Sequence, residues 1–350
     1  MKHEKFVVSA PTRADLAGGT LDLWPIYCLF GTGRTINVAL DIKAFCHFEC
    51  SPNSTQIIQI ENNKGIKFLF TDPNLGSELE SVPKEIKFPV AVVSRFFSQN
   101  VIKENFHLKI KIETQAPVGS GLGGSSTLCV ALLRGLSYLT SKFEDSDWRW
   151  KMLSWVRDVE AEYLKTPTGT QDYLAALFGS LSCFNYQIGE ITHQSYSPLV
   201  VKELESRMLV LFSGEMHHSG LSNWEVFKKA LEGDSQVLSG LKAIHDIAES
   251  LHQELSSQKV NWQKVGILLS EEWNTRKATL GVNTERLDEI IKFLTSLKVH
   301  GVKVCGAAQG GSLLVLVDPK EKKQIAEACQ SKGIQVLPSS VSEYGVRLDS

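Results

Sequence analysis

The sequence has no excess of basic residues, no long apolar run and no membrane-targeting pattern. Lysine and arginine total 37 against 39 aspartate and glutamate residues, giving a net charge of −2, so nothing indicates a nucleic-acid-binding surface. The longest uncharged stretch, residues 114–133, contains proline and several glycines and is no membrane span. The first residues, MKHEKFVVSAPTRADL, predict no signal peptide. We expect a cytoplasmic protein with neither nucleic acid nor membrane as a partner.

The cysteines form no ordered set either. There are seven, an odd number at irregular spacing, which is typical of free thiols in a reducing compartment. Cys46, His47 and Cys50 could be metal ligands, but no second Cys/His pair follows at zinc spacing. The segment AFCHFEC is better interpreted as an alternating strand.

The 350 residues are enough for two domains. The first half alternates short β-branched or aromatic segments with turns, and helical patterns follow at 125–140 and 147–164. The second half carries further helical patterns, bounded by strand-like segments near 207–214 and 302–318. We predict an α+β fold with domains at residues 1–198 and 199–350.

The most informative stretch is PVGSGLGGSS at residues 117–126, directly before the apolar run TLCVALLRGL. The spacing of Gly119, Gly121 and Gly124 matches G-x-G-x-x-G, the dinucleotide-binding fingerprint. The context does not fit, because a turn and a second helical pattern follow where a second strand is required. A Walker loop does not fit either, because no Gly-Lys-Ser/Thr ends the stretch.

Two interpretations of this stretch remain. It could be a plain turn in which Ser125 or Ser126 caps the following helix. That accounts for one serine, but not for four glycines and three hydroxyls. A phosphate-binding loop accounts for the whole set, because glycines let backbone N–H groups converge at a helix N-terminus. We favour phosphate binding.

Carboxylates that could hold a metal ion or accept a proton follow in VEAEYLKTPTGTQDYLAALFG. Glu160 and Glu162 lie near the end of one predicted helix, and both are available as metal ligands. Asp172 opens the next helix, where an acidic residue can also be a simple N-cap or first-turn charge. Near the start of the chain, APTRADLAGGTLDLWP places Arg13, Asp15, Thr20 and Asp22 around a Gly-Gly turn suited to binding substrate hydroxyls.

Together these segments resemble the GHMP kinases, the superfamily of galactokinase, homoserine kinase, mevalonate kinase and phosphomevalonate kinase. PVGSGLGGSS resembles the phosphate loop of the family, and APTRADLAGGTLDLWP resembles the first motif of its sugar-kinase branch. GTQDYLAALFGSL resembles the segment with the catalytic aspartate, and VCGAAQGGSLLVLV stands at the place of the third, glycine-rich motif. The resemblance implies a two-domain fold, with an N-terminal ribosomal-protein-S5-like domain and a C-terminal ferredoxin-like α/β domain.

The resemblance also implies roles for individual residues. Asp172 would accept the proton of the substrate hydroxyl and Arg13 would stabilise the transferring phosphoryl group. Ser125 and Glu160 would hold Mg²⁺. The residues implied to bind ATP are Pro117, Gly119, Ser120, Gly121, Leu122, Gly123, Gly124, Ser125 and Ser126. The residues implied to bind substrate are Gly18, Gly19, Thr20, Asp22 and Asp172.

The implied activity is ATP-dependent phosphoryl transfer to a sugar or sugar phosphate, of the heptose-phosphate or fucose kind. Gly19 and Thr20 stand where galactokinases carry Glu and His, so galactose is not the expected substrate. Ala308 and Gln309 depart from the glycines usual in the third motif. A mevalonate-type kinase and a catalytically silent ATP- and sugar-binding regulator remain as alternatives.

Three further features stay open. His217, His218, Ser219 and Asn223, in SGEMHHSGLSNWE, would border the substrate pocket or form a plain polar loop. Trp148, Trp150 and Trp155 share one predicted helix. Core packing is the preferred account of these tryptophans, and a homo-oligomer is left open.

Overall fold

A computed structural model describes residues 3–100, 102, 104–215, 221–306 and 311–349, without the side chains of residues 221–223. The chain forms two β-sheets with helices against them, which confirms the α+β class. The strands are β1 Glu4–Ala17, β2 Gly33–Pro52, β3 Ile57–Asn62, β4 Lys67–Phe70, β5 Phe106–Thr114, β6 Leu181–Gln187, β7 Glu190–Ser195, β8 Met208–Phe212, β9 Gly301–Val304, β10 Ser312–Leu316, β11 Gln335–Leu337 and β12 Arg347–Asp349. The α-helices are α1 Lys87–Gln99, α2 Gly124–Thr140, α3 Trp148–Leu164, α4 Gln171–Phe178, α5 Pro198–Arg207, α6 Leu221–Leu231, α7 Ser235–Leu255, α8 Trp262–Leu280, α9 Glu285–Ser296 and α10 Lys322–Ser331.

The long strand β2 organises the first sheet, whose order is β12-β1-β2-β5-β3-β4. β1 pairs with it along nearly its whole length, while its first part pairs with β6 and its second part with β5. In the second part Cys46 and Cys50 are buried and His47 is exposed, because neighbouring side chains of a strand point to opposite faces. This alternation supports the strand interpretation of AFCHFEC over a zinc site.

The first sheet is covered differently on its two faces. Helices α1 to α4 pack on one face, where Phe48, Phe96 and Leu133 belong to one continuous core. Trp148, Trp150 and Trp155 pack half-buried against that core, in agreement with the core-packing interpretation. The C-terminal half of β1 and the N-terminal part of β2 are buried on both faces, because α7 and α8 cover the second face. Residues at the end of β1 therefore lie between the two halves of the molecule.

The second sheet has the order β11-β8-β10-β9, with every pair antiparallel. When these four strands are numbered along the chain from β8, their order in the sheet is four-one-three-two, which is the order of a ferredoxin-like sheet. Helix α8 lies directly on β9, and this close approach requires glycine on both elements. A Cβ atom on Gly301 would overlap the carbonyl oxygen of Gly266. The contact brings α8 and β9 together where both carry buried charged residues.

Three elements were not predicted from the sequence. Helix α1 has a β-branched and aromatic composition that favours a strand, although Val90, Val93 and Phe97 follow helical spacing. Helix α5 lies across the segment in which the domain boundary was predicted, with Ser197 as its N-cap. Strand β12 returns to the first sheet and pairs with β1. The predicted domain boundary between residues 198 and 199 stays a prediction. The last strand, β12, belongs to the sheet of the first half.

Among the described residues, no helix is both long and apolar enough to cross a bilayer.

We expect Gly301→Ala to destabilise the protein by about 1–3 kcal/mol, the usual cost of overpacking a core. The atom that obstructs the new methyl group belongs to the backbone of α8 and cannot rotate away. Gly124→Ala is the matched control, because a Cβ there meets nothing closer than 3.5 Å. Chemical denaturation of both variants measures the difference. Equal stability of Gly301→Ala and the unsubstituted protein would contradict the packing described for α8 and β9.

Candidate active site

The glycine-rich loop at residues 117–123 connects β5 to α2 through left-handed backbone. Gly119, Gly121 and Gly123 have φ values of +69°, +73° and +74°, which residues with a Cβ atom rarely adopt. Gly123 is the N-cap of α2, and no side chain caps the helix. The first backbone N–H groups of α2 are therefore available to an anion, which the positive end of the helix dipole attracts.

The alternative of an ordinary N-capped turn is wrong. Ser125 and Ser126 lie inside the first turn of α2, and neither is its N-cap. Ser125 is exposed at the helix N-terminus, whereas Ser126 is buried. Neither hydroxyl group therefore caps the helix.

Hydrogen bonds from both halves of the molecule hold the carbonyl oxygens of the loop. The backbone N–H of Arg13 donates to Leu122 O (3.0 Å), and the backbone N–H of Ser312 donates to Ser120 O (2.7 Å). The Arg13 side chain donates from Nη1 to Gly121 O (2.5 Å). The loop is thus fixed between β1 and β10.

Asp172 lies directly against this loop and is bound by Arg13. Arg13 donates to Asp172 Oδ1 from Nε at 2.8 Å, and its Nη2 lies 2.6 Å from the same oxygen. A Cβ atom on Gly123 would lie 3.0 Å from Asp172 Oδ2. The absence of a side chain at Gly123 therefore lets the carboxylate approach the start of α2.

Arg13 is a permanent buried charge at this point. Its side chain is 3% exposed, while that of Asp172 is 26% exposed. Burial alone would lower the pKa of Arg13, but Asp172 and Asp15 together raise it above its ordinary value. Asp172 lies in the first turn of α4, where a negative charge interacts favourably with the helix dipole. It also forms an ion pair with Arg13.

Glu160, near the end of α3, is a buried carboxylate surrounded by hydroxyl groups. Its Oε2 accepts hydrogen bonds from Thr168 Oγ1 (2.6 Å) and Tyr173 OH, and the Ser126 side chain lies close to it. Burial raises the pKa of Glu160 above its ordinary value. In the part of the chain that the structure describes, no lysine or arginine forms an ion pair with Glu160.

Glu162 has a different environment. It is exposed, and its Oε2 lies 3.4 Å from Arg95 Nη2. Of the two glutamates that the sequence left open, Glu160 is the one near α2. No cluster of three or more His, Cys, Asp or Glu side chains suited to a metal ion occurs among the described residues, so a cation here would need oxygen ligands from other groups.

The turn after β1 is tied to the start of α4 by Asp22. Its Oδ2 accepts hydrogen bonds from the backbone N–H groups of Thr170 (2.7 Å) and Gln171 (3.0 Å). Burial raises the pKa of Asp22, and these backbone donors oppose that effect. Gly18 and Thr20 have positive φ values of +85° and +77°. Asp22 thus fixes the position of the turn relative to Asp172.

A functional contact that the sequence reasoning missed comes from α8. Arg276 donates to Gly19 O from Nη2 (2.6 Å) and to Thr20 Oγ1 from Nη1 (3.2 Å). It is buried beside Glu272, with Nε 3.4 Å from Oε1. The signal in the sequence was this acid–base pair at i,i+4 spacing, within a segment, residues 270–290, that also resembles the sugar-kinase branch. The turn with Gly18, Gly19 and Thr20 is therefore held by the second half of the molecule.

A cavity of about 420 Å³ adjoins Asp22. Trp24, Tyr27 and Arg157 contribute aromatic and cationic surface to its lining, and Thr168 contributes a hydroxyl. The volume is within the usual range of small-molecule sites.

Some predicted residues lie outside the described residues. These are His217, His218, Ser219, Ala308 and Gln309, together with the side chain of Asn223. The described part of the third glycine-rich segment includes Gly306, with a φ of +69°. A Cβ atom there would lie 2.8 Å from Gly121 O, so the backbone at Gly306 packs directly on the glycine-rich loop.

Comparison with known families gives two matches along the chain. The family model for the GHMP kinases N-terminal domain matches residues 88–180. The model for the GHMP kinases C-terminal domain matches residues 248–335. The first contains the glycine-rich loop, Glu160 and Asp172, and the second contains Glu272, Arg276 and Lys303.

Among curated proteins, the D-glycero-alpha-D-manno-heptose 7-phosphate kinase of Campylobacter jejuni is 25% identical over 350 residues, covering 96% of each chain. The bifunctional fucokinase/GDP-fucose pyrophosphorylase of Arabidopsis thaliana is 27% identical over 333 residues, covering 90% of this chain but only 30% of its own length. A solved D-glycero-D-manno-heptose 1-phosphate kinase from Bacteroides thetaiotaomicron has a TM-score of 0.75 at 22% identity, covering 98% of each chain. This structural likeness shows a shared fold.

We expect Glu160→Gln to weaken binding of Mn²⁺, used as a probe in the presence of ATP, by at least tenfold, since even outer partners of metal ligands contribute about 10–100-fold. Without metal, the same variant should be more stable at pH 7, because a carboxylate with a raised pKa destabilises the fold when ionised. The ion-free protein should gain stability as the pH falls through that raised pKa, and Glu160→Gln should lose this gain.

Glu162→Gln is the control, since Glu162 is exposed. Mn²⁺ titration and thermal unfolding give the two readouts. Equal losses of Mn²⁺ affinity in the two variants, or no loss in either variant, would exclude Glu160 as a metal ligand.

Proposed function

The chain belongs to the GHMP kinases and is a small-molecule kinase, and from that premise we propose that it transfers the γ-phosphoryl group of Mg-ATP to a hydroxyl group of a sugar or sugar phosphate. The observation that carries the proposal is the placement of the Arg13–Asp172 pair against Gly123 of the phosphate loop. Phosphoryl transfer needs a proton acceptor and a fixed positive charge at the phosphate site, and the pair supplies both.

Asp172 is the proposed proton acceptor. It is partly exposed, so a bound hydroxyl can reach it, while Arg13 fixes one of its oxygens. Arg13 remains charged throughout because its pKa is raised, and it stabilises negative charge on the transferring group.

The loop from Gly119 to Ser126 is proposed to bind the phosphates of ATP, with Ser125 and Glu160 as the Mg²⁺ ligands. Pro117 and Leu122 belong to the same loop. The buried Glu160 carboxylate, with hydroxyl donors around it, fits a divalent cation, which prefers oxygen ligands. Bound there, Mg²⁺ supplies neutralisation of the phosphate charge.

The acceptor is proposed to bind at the turn with Gly18, Gly19, Thr20 and Asp22. Arg276 and the α4 backbone hold this turn rigidly next to Asp172, and rigid placement of reactants is the main source of rate in such enzymes. The cavity beside Asp22 has the exposed ring of Trp24 at its edge, a surface on which a sugar ring can pack. The heptose-phosphate kinase and fucokinase relatives support this substrate class.

The first experiment measures ADP release with Mg-ATP against a panel of fucose, other free hexoses, heptose phosphates, hexose phosphates and mevalonate. Turnover of one sugar or sugar phosphate supports the proposal and identifies the acceptor. Turnover of mevalonate alone would replace it with the isoprenoid-type alternative. Binding of ATP with no turnover across the panel would favour the regulator.

With the acceptor identified, we expect Asp172→Asn to lower kcat by about 10²–10⁴-fold, the usual effect of removing a general base. Asp288→Asn is the matched control, because Asp288 is also an acidic residue in the first turn of a helix but is exposed in α9. Steady-state kinetics of the two variants measures the difference. Unchanged turnover by Asp172→Asn would exclude Asp172 as the proton acceptor.

A further inference from the structure

A line of six alternating charges crosses from one half of the molecule to the other. It connects residues that are far apart in sequence, in the order Asp172, Arg13, Asp15, Lys303, Glu272 and Arg276. The first three lie on α4 and β1, and the last three on β9 and α8. All except Asp172 are almost completely buried. The three acidic and three basic side chains balance one another.

Arg13 stands between two carboxylates and is hydrogen-bonded to only one of them. Its Nη2 lies 2.6 Å from Asp172 Oδ1 but its Nη1 lies 3.6 Å from Asp15 Oδ1. Asp15 is occupied elsewhere, by an ion pair between its Oδ2 and Lys303 Nζ and by a hydrogen bond from Gly306 N–H (2.9 Å) to its Oδ1. The lysine thus neutralises the carboxylate that competes with Asp172 for Arg13.

The burial of the Lys303 charge in this position has a large desolvation cost. Its side chain has no exposure, and its Nζ lies 3.4 Å from Glu272 Oε2 in addition to its pair with Asp15. Burial alone would raise the pKa of Asp15, but Lys303 and Arg13 hold it well below its ordinary range. Because a buried ion pair rarely stabilises a fold more than apolar side chains of similar volume, stability alone does not account for it.

We propose that Lys303 is a positioning residue that directs Arg13 toward Asp172 by neutralising Asp15. The same pair holds Gly306 against Gly121 of the phosphate loop, so β9 sets the position of the arginine and of the loop together. This inference rests on the proposed function for its effect on turnover. Its effect on the contact between Arg13 and Asp172 does not depend on any substrate.

The experiment compares Lys303→Met, the double variant Asp15→Asn/Lys303→Met and Val302→Ala. In Lys303→Met, Asp15 loses its lysine and draws Arg13 away from Asp172. In the double variant both charges are gone and Asp172 is the only carboxylate left beside Arg13, while the amide oxygen introduced by Asp15→Asn can still accept from the Gly306 N–H. Val302→Ala is the stability control, because Val302 is a buried neighbour in β9 whose side chain lies in the apolar core of the second sheet.

The first readout is the side-chain Nε–H signal of Arg13 in ¹H–¹⁵N spectra, assigned by its loss in Arg13→Lys. We expect this signal to shift in Lys303→Met and to return toward its original position in the double variant. In Val302→Ala it should keep its original position. The second readout is kinetics. Lys303→Met should lower kcat about a hundredfold with KM for ATP changed far less, since a misplaced catalytic group costs about that much, and the double variant should recover most of the loss.

An unchanged Arg13 signal in Lys303→Met would overturn the inference, as would a double variant no better than the single one. If Lys303→Met does not fold, the double variant must still fold and show the original Arg13 signal. Absence of turnover in the unsubstituted protein, together with the expected changes in the Arg13 signal, would reject the proposed function and leave the positioning role in place.

Discussion

The site depends on the buried guanidinium group of Arg13. Arg13 lies within strand β1. Its side chain contacts Asp172 and Gly121, and its backbone N–H contacts Leu122. A charge of this kind must be paired wherever it is buried, so the elements that supply its partners must meet at the end of β1. The loop before α2, the start of α4 and the strand β9 converge there. Helix α8 joins them through Glu272 and Arg276.

Glycine makes this convergence possible by leaving out side chains. Gly123 allows the Asp172 carboxylate to approach α2, and the missing side chain of Gly306 allows its backbone to lie on Gly121. Gly169 serves the same purpose next to Asp22, where a Cβ atom would overlap the carboxylate. The glycines of the sequence motifs therefore do more than bend the chain, because they let acidic groups and peptide N–H groups occupy the same small volume.

Much of this arrangement could be predicted from the sequence, because it is encoded locally. The glycine-rich loop, the acidic residue that opens α4 and the polar turn after β1 are contiguous segments with recognisable composition. Helices α2, α3 and α4 also follow clear apolar periodicity. Helix α1 was missed because its β-branched and aromatic residues favour strands, and only tertiary packing decides between the two.

The remaining features could not be read from local pattern. Asp15 and Lys303 are 288 positions apart, and neither has a spacing that indicates the other. Arg276 contacts Gly19 across 257 positions. The pairing of β12 with β1 likewise depends on the whole fold being in place. The sequence thus indicated the chemical groups of the site, while the support that orients them required the three-dimensional structure.

We propose that residues 119–126 present ATP to the Arg13–Asp172 pair. The most direct measurement is a crystal structure of the protein with Mg²⁺ and a non-hydrolysable ATP analogue. We expect the phosphates to lie along residues 119–126, with the metal at Ser125 and Glu160 and the terminal phosphate facing Arg13 and Asp172. A nucleotide bound away from this loop, or with its terminal phosphate directed away from Asp172, would contradict this arrangement.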